Sequence, residues 1–228
     1  MLDPAVLDWV VRATRCLLID FDGPICSVFA GRSASAVAAE LRAMIGQDLD
    51  GVNDPLRLLV EVAALGDDRL TREVADACRD AEVAAARSAA PTPGAEEALR
   101  SARAAGYRVA IVSNNAVDAV ESYLRGHNLL RHIDGLAARV DGMNPHLLKP
   151  NPFLLECGLT AAGGEKTGAI FVGDSVTDVE AGRAAGIPTI GYANKPGKQE
   201  RLTEAGADVV IATMGALPDV LQEWTEPA

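Results

Sequence analysis

From residue 107 to the end of the chain, short apolar runs alternate with stretches of helical spacing, and this alternation restricts the fold more than any other feature. Strands are expected over residues 107–112, near 132–136, and over 169–172, 188–191 and 208–211. Helices are expected between and after them, over 116–125, 152–162, 176–185, 197–205 and 214–224. Strands joined through helices run parallel, and helices then cover both faces of the sheet. The expected class is α/β, a Rossmann-like doubly wound parallel sheet.

The first strand of that sheet lies far upstream. Residues 2–15 have helix-like apolar spacing (Leu2, Val6, Trp9, Val10), and the run CLLI at 16–19 reads as a buried strand ending at Asp20. From about 27 to 88 the texture changes to Ala, Arg, Glu and Leu at helical periodicity with no strand pattern. Asp54 followed by Pro55, and Gly46, Gly51 and Gly66 between the periodic runs, mark three or four helices. Thr92 is placed to cap the next helix, with Pro93 and Gly94 in its first turn and Gly106 at its end. Residues 1–24 and 90–228 therefore form the α/β core domain, and 25–89 an inserted small α-helical cap domain.

Two carboxylate motifs stand where strands should end: LLIDFDGPI at 17–25 and IFVGDSVTD at 170–178. Ser113 follows the apolar run RVAIV, and Lys149 lies in HLLKPNP. Ligands of such sheets bind beyond the carboxyl ends of the strands, so Asp20, Ser113 and Asp174 share one rim that Lys149 can reach. Carboxylates brought together raise one another's pKa unless a cation sits among them. Oxygen ligands with no nearby His or Cys favour Mg²⁺ over zinc. Singly, each motif has a plainer reading. Asp22-Gly23 makes a turn, Asp174-Ser175 a helix cap, Ser113-Asn114 a strand-end turn and Lys149-Pro150 a surface loop.

Together, in this order and spacing, the four pieces resemble the haloacid dehalogenase superfamily over nearly the whole chain. The resemblance is to its phosphatase-like members with a small helical cap, such as phosphoglycolate phosphatase and β-phosphoglucomutase. It implies a Mg²⁺-dependent hydrolase of small phosphomonoesters that forms an aspartyl-phosphate on Asp20. Asp22 is implied as general acid and base, and Ser113 as a hydrogen-bond donor to the phosphoryl group, aided by the N–H groups of Phe21 and Asn114. Lys149 is implied as the cation that neutralises developing charge. The implied Mg²⁺ site uses the Asp20 carboxylate, the Asp22 carbonyl and Asp174, with Asp178 orienting a metal-bound water or Lys149. Pro24 departs from the family pattern, which has Thr or Val there, and removes a hydroxyl and an N–H.

Asp22 argues against carbon–halogen cleavage, since the dehalogenases lack this carboxylate. Residues 1–148 contain no lysine, so the cap cannot supply the Schiff-base lysine of the phosphonate-cleaving members. A sugar-phosphate mutase of the β-phosphoglucomutase type, and a non-catalytic phospholigand-binding relative, stay open as alternatives. Arg32 in FAGRS is the cation to test for substrate contact, against its reading as a solvated helix-start residue. Arg42, Arg57 and Arg69 read as surface charges.

Net charge of −11 and a pI near 4.7 disfavour nucleic-acid and anionic-membrane partners. A small phosphorylated metabolite is the expected partner, with the protein a monomer or homodimer. No apolar run approaches the roughly 18–20 residues that span a bilayer, and the four cysteines form no CxxC pair. A reduced, cytoplasmic location is expected. High Ala and Arg content with only four lysines fits a GC-rich bacterial coding bias.

Overall fold

The computed structural model describes residues 16–46, 49 and 51–217. The helix expected over 2–15, and the part of the 214–224 helix beyond Leu217, lie outside the described residues. In chain order, β1 (Cys16–Ile19) and the short β2 (Cys26–Ser27) precede α1 (Ala34–Ala43), α2 (Pro55–Ala64) and α3 (Asp68–Ala86). Then follow β3 (Ala90–Pro91), α4 (Ala95–Ala104), β4 (Arg108–Ala116), α5 (Val117–Gly126), β5 (Gly135–Arg139) and α6 (Phe153–Ala162). The chain continues through β6 (Ala169–Gly173), α7 (Val176–Ala185), β7 (Thr189–Tyr192), α8 (Lys198–Ala205) and β8 (Val209–Ile211).

Six strands form one parallel sheet in the order β5-β4-β1-β6-β7-β8. The central strand alternates between two cores. Leu17 and Ile19 face one hydrophobic cluster with Val109 and Ile111, while Cys16 and Leu18 face another with Ala110 and Val112. A period of two with apolar residues on both faces is what a strand covered on both sides requires, and it explains the continuous apolar run CLLI. Ile19 is in register with Ile111 and with Val172, so β1 and β6 end nearly level while β4 runs on past them to Ala116. The order of the chain reverses on either side of β1, which makes their carboxyl ends the switch point of the sheet.

The three helices between β2 and β3 build their own apolar cluster from Val37, Leu41, Leu58, Leu59, Val62, Val74 and Cys78. Each start is capped by a side chain. Ser33 accepts from the Ala36 N–H, Asp54 from Arg57, and Asp67 from Arg69 and Leu70. Pro55 fills the first turn of α2, where its missing N–H costs nothing. The far end of α3 leaves this cluster, and Ala85 and Ala86 pack into the main core.

Three details differ from the sequence reading. The stretch expected to hold only helices is entered and left through an antiparallel pair, β2 with β3 (Cys26↔Pro91, Ser27↔Ala90), too short to show any period. The strand expected near 132–136 lies at Gly135–Arg139, because Leu130–His132 forms a turn of 3₁₀-helix first. Thr92 does not cap α4. Its hydroxyl donates to the Gly23 carbonyl at 2.5 Å, joining the two linkers, and Gly94 takes the cap position at φ +84°, where a Cβ would collide with the Gly215 backbone.

Candidate active site

Asp20 leaves the end of β1 with its N–H donated to the Val172 carbonyl at 2.8 Å, and is almost fully buried. The chain then turns at Gly23, whose φ of +116° suits glycine; a Cβ there would collide with the Asp174 carboxylate. The turn brings the first aspartate pair against the second. Asp22 accepts the Val28 N–H at 2.9 Å through Oδ1. Burial pushes its pKa up to about 6, although that hydrogen bond favours the charged form.

Asp174 and Asp178 are fixed by the start of α7. The Ser175 side chain accepts the Asp178 N–H, and Asp178 Oδ2 accepts from the N–H groups of Asp174 (3.1 Å) and Ser175 (3.0 Å) and from Ser175 Oγ (2.6 Å). The plain reading of Asp174-Ser175 as a helix cap is thus also true, and the cap is what aims the carboxylates. Asp178 Oδ1 pairs with Lys149 Nζ at 2.6 Å.

Lys149 Nζ also lies 2.7 Å from Asp20 Oδ1 and donates to the Val112 carbonyl at 3.3 Å. Its backbone is held by Asn114. The Lys149 N–H donates to Asn114 Oδ1 (2.8 Å), and Asn114 Nδ2 donates to the Lys149 carbonyl (3.1 Å). Burial alone would depress the ammonium, but Asp178 and Asp20 outweigh it and hold its pKa above the usual lysine value. Asp20 shares that one cation with other carboxylates, so burial and the neighbouring Asp178 push its pKa well up.

One oxygen from each of Asp20, Asp174 and Asp178 falls within 4.8 Å of the others. An all-oxygen set of this kind suits a hard divalent cation. Four rim carboxylates, counting Asp22, meet two ammonium groups, those of Lys149 and Lys198, with Lys195 acting on Asp22 as well. Lys198, after β7, pairs with Asp174 Oδ2, and Asn194 Nδ2 donates to the same oxygen at 2.9 Å. Burial pushes the Asp174 pKa up, with Lys198 opposing.

A cavity of about 540 Å³ opens over this cluster. Its floor includes Asp20, Asp22, Asn114, Lys149 and Asp174, and its roof comes from Asp54 and from Leu56, Arg57 and Glu61 on α2. Hollows of about 620 and 720 Å³ exist elsewhere, and none of the four rim aspartates lines them. Ser113 is fully buried. Its Oγ donates to Asn115 Oδ1 and accepts the Asn115 N–H, both at 3.1 Å. Arg32 is not brought to the cavity and pairs instead with Glu40, whereas Arg57, read from sequence as a surface charge, lines it. Lys198 and Asn194 escaped the sequence reading too, although their place directly after β7 put them on the same rim.

Residues 38–192 match the family model for haloacid dehalogenase-like hydrolases. The chain belongs to this family. The matched span begins after Asp20 and Asp22, so the pairing of β1 between β4 and β6 is what joins those two aspartates to the haloacid dehalogenase-like core. Among relatives, a plasmid-encoded phosphoglycolate phosphatase of Cupriavidus necator is 35% identical over 133 residues, 57% of this chain and 54% of that protein. The pyrophosphatase PpaX of Halalkalibacterium halodurans is 29% identical over 133 residues, 58% of this chain and 60% of that protein. The match thus spans little more than half of each relative's length. The solved structure of CbbY from Rhodobacter sphaeroides in complex with phosphate is 22% identical, with a TM-score of 0.67 over 89% of this chain and 95% of that one. Among the described residues, no helix is long and apolar enough to cross a membrane.

Proposed function

We propose that this chain is a Mg²⁺-dependent phosphatase of small phosphomonoesters that works through an aspartyl-phosphate on Asp20, in a bacterial cytoplasm. The observation that carries the reading is the Asp20–Lys149–Asp178 contact beneath a cavity whose other wall comes from residues 25–89, the proposed cap domain.

The donor set fits the metal: three carboxylate oxygens lie within 4.8 Å of one another, in a group of four carboxylates that outnumbers the lysines paired with it. Asp20 and Asp174 would hold it with the Asp22 carbonyl, and Asp178 would orient Lys149. When bound, Mg²⁺ neutralises charge on the transferring phosphoryl group and on the nucleophile. The Asp20 carboxylate forms a new O–P bond while the bond to the leaving oxygen breaks, and the Asp22 carboxylic acid delivers its proton to that oxygen. Asp22, now a carboxylate, takes a proton from water as the water oxygen attacks phosphorus; the Asp20 carboxylate and phosphate are released. A pKa near 6 for Asp22 lets one group serve as acid and then base close to neutral pH. Lys149, held protonated, offsets charge in both steps. Ser113, buried beside the cavity with its hydroxyl given to Asn115 Oδ1, would have to turn that hydroxyl to the phosphoryl group to hold it. Arg57, on the wall opposite Asp20, is the cap cation best placed to meet an anionic group on the leaving portion.

Likeness to phosphoglycolate phosphatase and to a pyrophosphatase puts phosphoglycolate and pyrophosphate at the head of the substrates to try, with sugar phosphates after them. Phosphate release is measured with Mg²⁺ and with EDTA, for the unaltered chain and for Asp20→Asn. Turnover that needs the metal and falls by roughly 10³-fold or more in the variant is expected. Absence of release from every ester with Mg²⁺ bound would count against the reading and favour a mutase or a ligand sensor.

A further inference from the structure

Lys149 lies in the loop between β5 and α6, yet its ammonium stands 2.7 Å from Asp20 Oδ1 and 2.6 Å from Asp178 Oδ1. A lysine stem is four flexible carbons long, so an ammonium held between two carboxylates needs a fixed backbone beneath it. The loop itself is folded by short-range bonds. The Leu148 N–H donates to the Pro145 carbonyl (3.1 Å), the Asn151 N–H to the Leu148 carbonyl (2.9 Å) and Asn151 Nδ2 to the His146 carbonyl (3.2 Å). Leu148 is buried in the apolar cluster that holds Val112 and Leu154. None of these bonds uses the peptide groups of Lys149. Among the described residues its N–H and carbonyl have no backbone partner, and both go to the side chain of Asn114, at 2.8 and 3.1 Å.

Buried peptide groups need partners, and a primary amide supplies both of these from one side chain. Its oxygen only accepts and its NH₂ only donates, so Oδ1 must face the Lys149 N–H and Nδ2 the carbonyl, as a neighbouring strand would. An aspartate there would set an oxygen against the Lys149 carbonyl. Asn114 is itself anchored. Arg139 Nε donates to its carbonyl at 3.2 Å, and the pairing of β4 with β5 shifts register between Ser113 and Ala116, an irregularity of the kind that re-aims side chains beside functional sites. Two residues earlier, the Val112 carbonyl accepts from Lys149 Nζ at 3.3 Å, so the end of β4 grips this lysine at its backbone and at its tip. We propose that Asn114 is a positioning residue for phosphoryl transfer: its side-chain amide clamps the Lys149 backbone to the end of β4 and so sets the ammonium between Asp20 and Asp178. With both ends of the amide engaged, this side chain acts on the substrate through Lys149 and not by contact. The inference rests on the role given to Lys149 above.

Asn114→Ala removes the clamp and leaves the backbone N–H at this position in place. A fall in kcat of roughly 10- to 100-fold is expected, with KM changed by less than about two-fold, in a protein that still melts cooperatively. In a Lys149→Met background the same substitution is expected to change the residual kcat by less than about two-fold, because two residues that act as one unit are lost only once. Unchanged kcat in Asn114→Ala, a loss confined to KM, or the full loss repeated in the Lys149→Met background overturns the proposal. Should Asn114→Ala fail to fold, Asn114→Ser, polar but too short to bond both Lys149 groups, takes its place under the same criteria. Turnover of the unaltered chain tests the phosphatase reading by itself. Without such turnover, hydrogen exchange at the Lys149 amide decides about the clamp: exchange at least about ten-fold faster in Asn114→Ala, with the Ile19 amide of β1 as protected as before, supports it, and equal rates at Lys149 overturn it.

Discussion

Asp174 shows how single residues share charge at this rim. One of its oxygens receives Lys198 and Asn194 together, while Gly23, lacking a Cβ, leaves room for its carboxylate beside the first aspartate pair. Lys198 is therefore the internal counter-ion of a carboxylate that a divalent cation would also claim. In EDTA, Lys198→Met leaves Asp174 facing Asp178 with no ammonium of its own and only the Asn194 hydrogen bond to offset the repulsion, and a lower melting temperature is expected; Mg²⁺ supplies the missing charge. The rise in melting temperature on adding Mg²⁺ should thus be larger in the variant than in the unaltered chain. An equal or smaller rise would show that Lys198 does not act against the metal's carboxylate. Asp20, Asp174 and Lys149 were legible from sequence because each is tied to an apolar run or a short motif in a fixed order. Lys198 was not, since it opens the polar helical run KQER and its partner Asp174 lies 24 residues away.

At the scale of elements, α2 acts as the wall that faces the strand ends. Asp54 caps it and Pro55 starts it, Leu58, Leu59 and Val62 anchor it in the insertion's core, and the adjoining face turns Arg57 and Glu61 to the cavity. Arg57 is largely exposed and only loosely paired with Glu61, at 3.6 Å, so it is free to meet a substrate anion. Arg57→Ala is expected to raise KM about ten-fold for a substrate with a second anionic group, with little change in kcat and none for a neutral aryl phosphate. Arg32→Ala, on a residue paired with Glu40 away from the cavity, is expected to leave both constants unaltered. Equal effects of Arg57→Ala on both substrates would sink its role in selectivity. The strands and helices of the sheet could be read closely, α7 to the residue, because burial on both faces imposes a strong apolar pattern and glycines mark the ends. What could not be read was settled by contacts distant in sequence: the two-residue pair β2–β3, the turn that delays β5, and Thr92, which bonds to Gly23 instead of capping α4. Arg57 escaped for the same reason, since helical periodicity does not tell an exposed face from a face turned towards another layer.

For the whole molecule, the carboxylates gathered under α2 are a cost to folding that depends on pH. Asp22 ionises at an ordinary 3.8 in the unfolded chain but at about 6 in the folded one, chiefly because it is buried. Below about pH 3 it is protonated in both states and differs little from asparagine. As the pH rises, the unfolded chain loses this proton first, so the folded state holds the larger number and stability falls. The loss is complete once the pH has passed through the folded value near 6. The gap from 3.8 to about 6 corresponds to ~3 kcal/mol, or roughly 6–12 °C in melting temperature for a chain of this size. In EDTA, the melting temperature of Asp22→Asn minus that of the unaltered chain should therefore be near zero at pH 3, climb between about pH 3 and pH 6.5, and stay level above it. Asparagine keeps an oxygen for the Val28 N–H, so the bond at 2.9 Å survives and the difference isolates the charge. A difference that is flat across this range would mean that Asp22 ionises normally in the folded protein, and its assignment as the proton donor to the leaving oxygen would lose its physical basis.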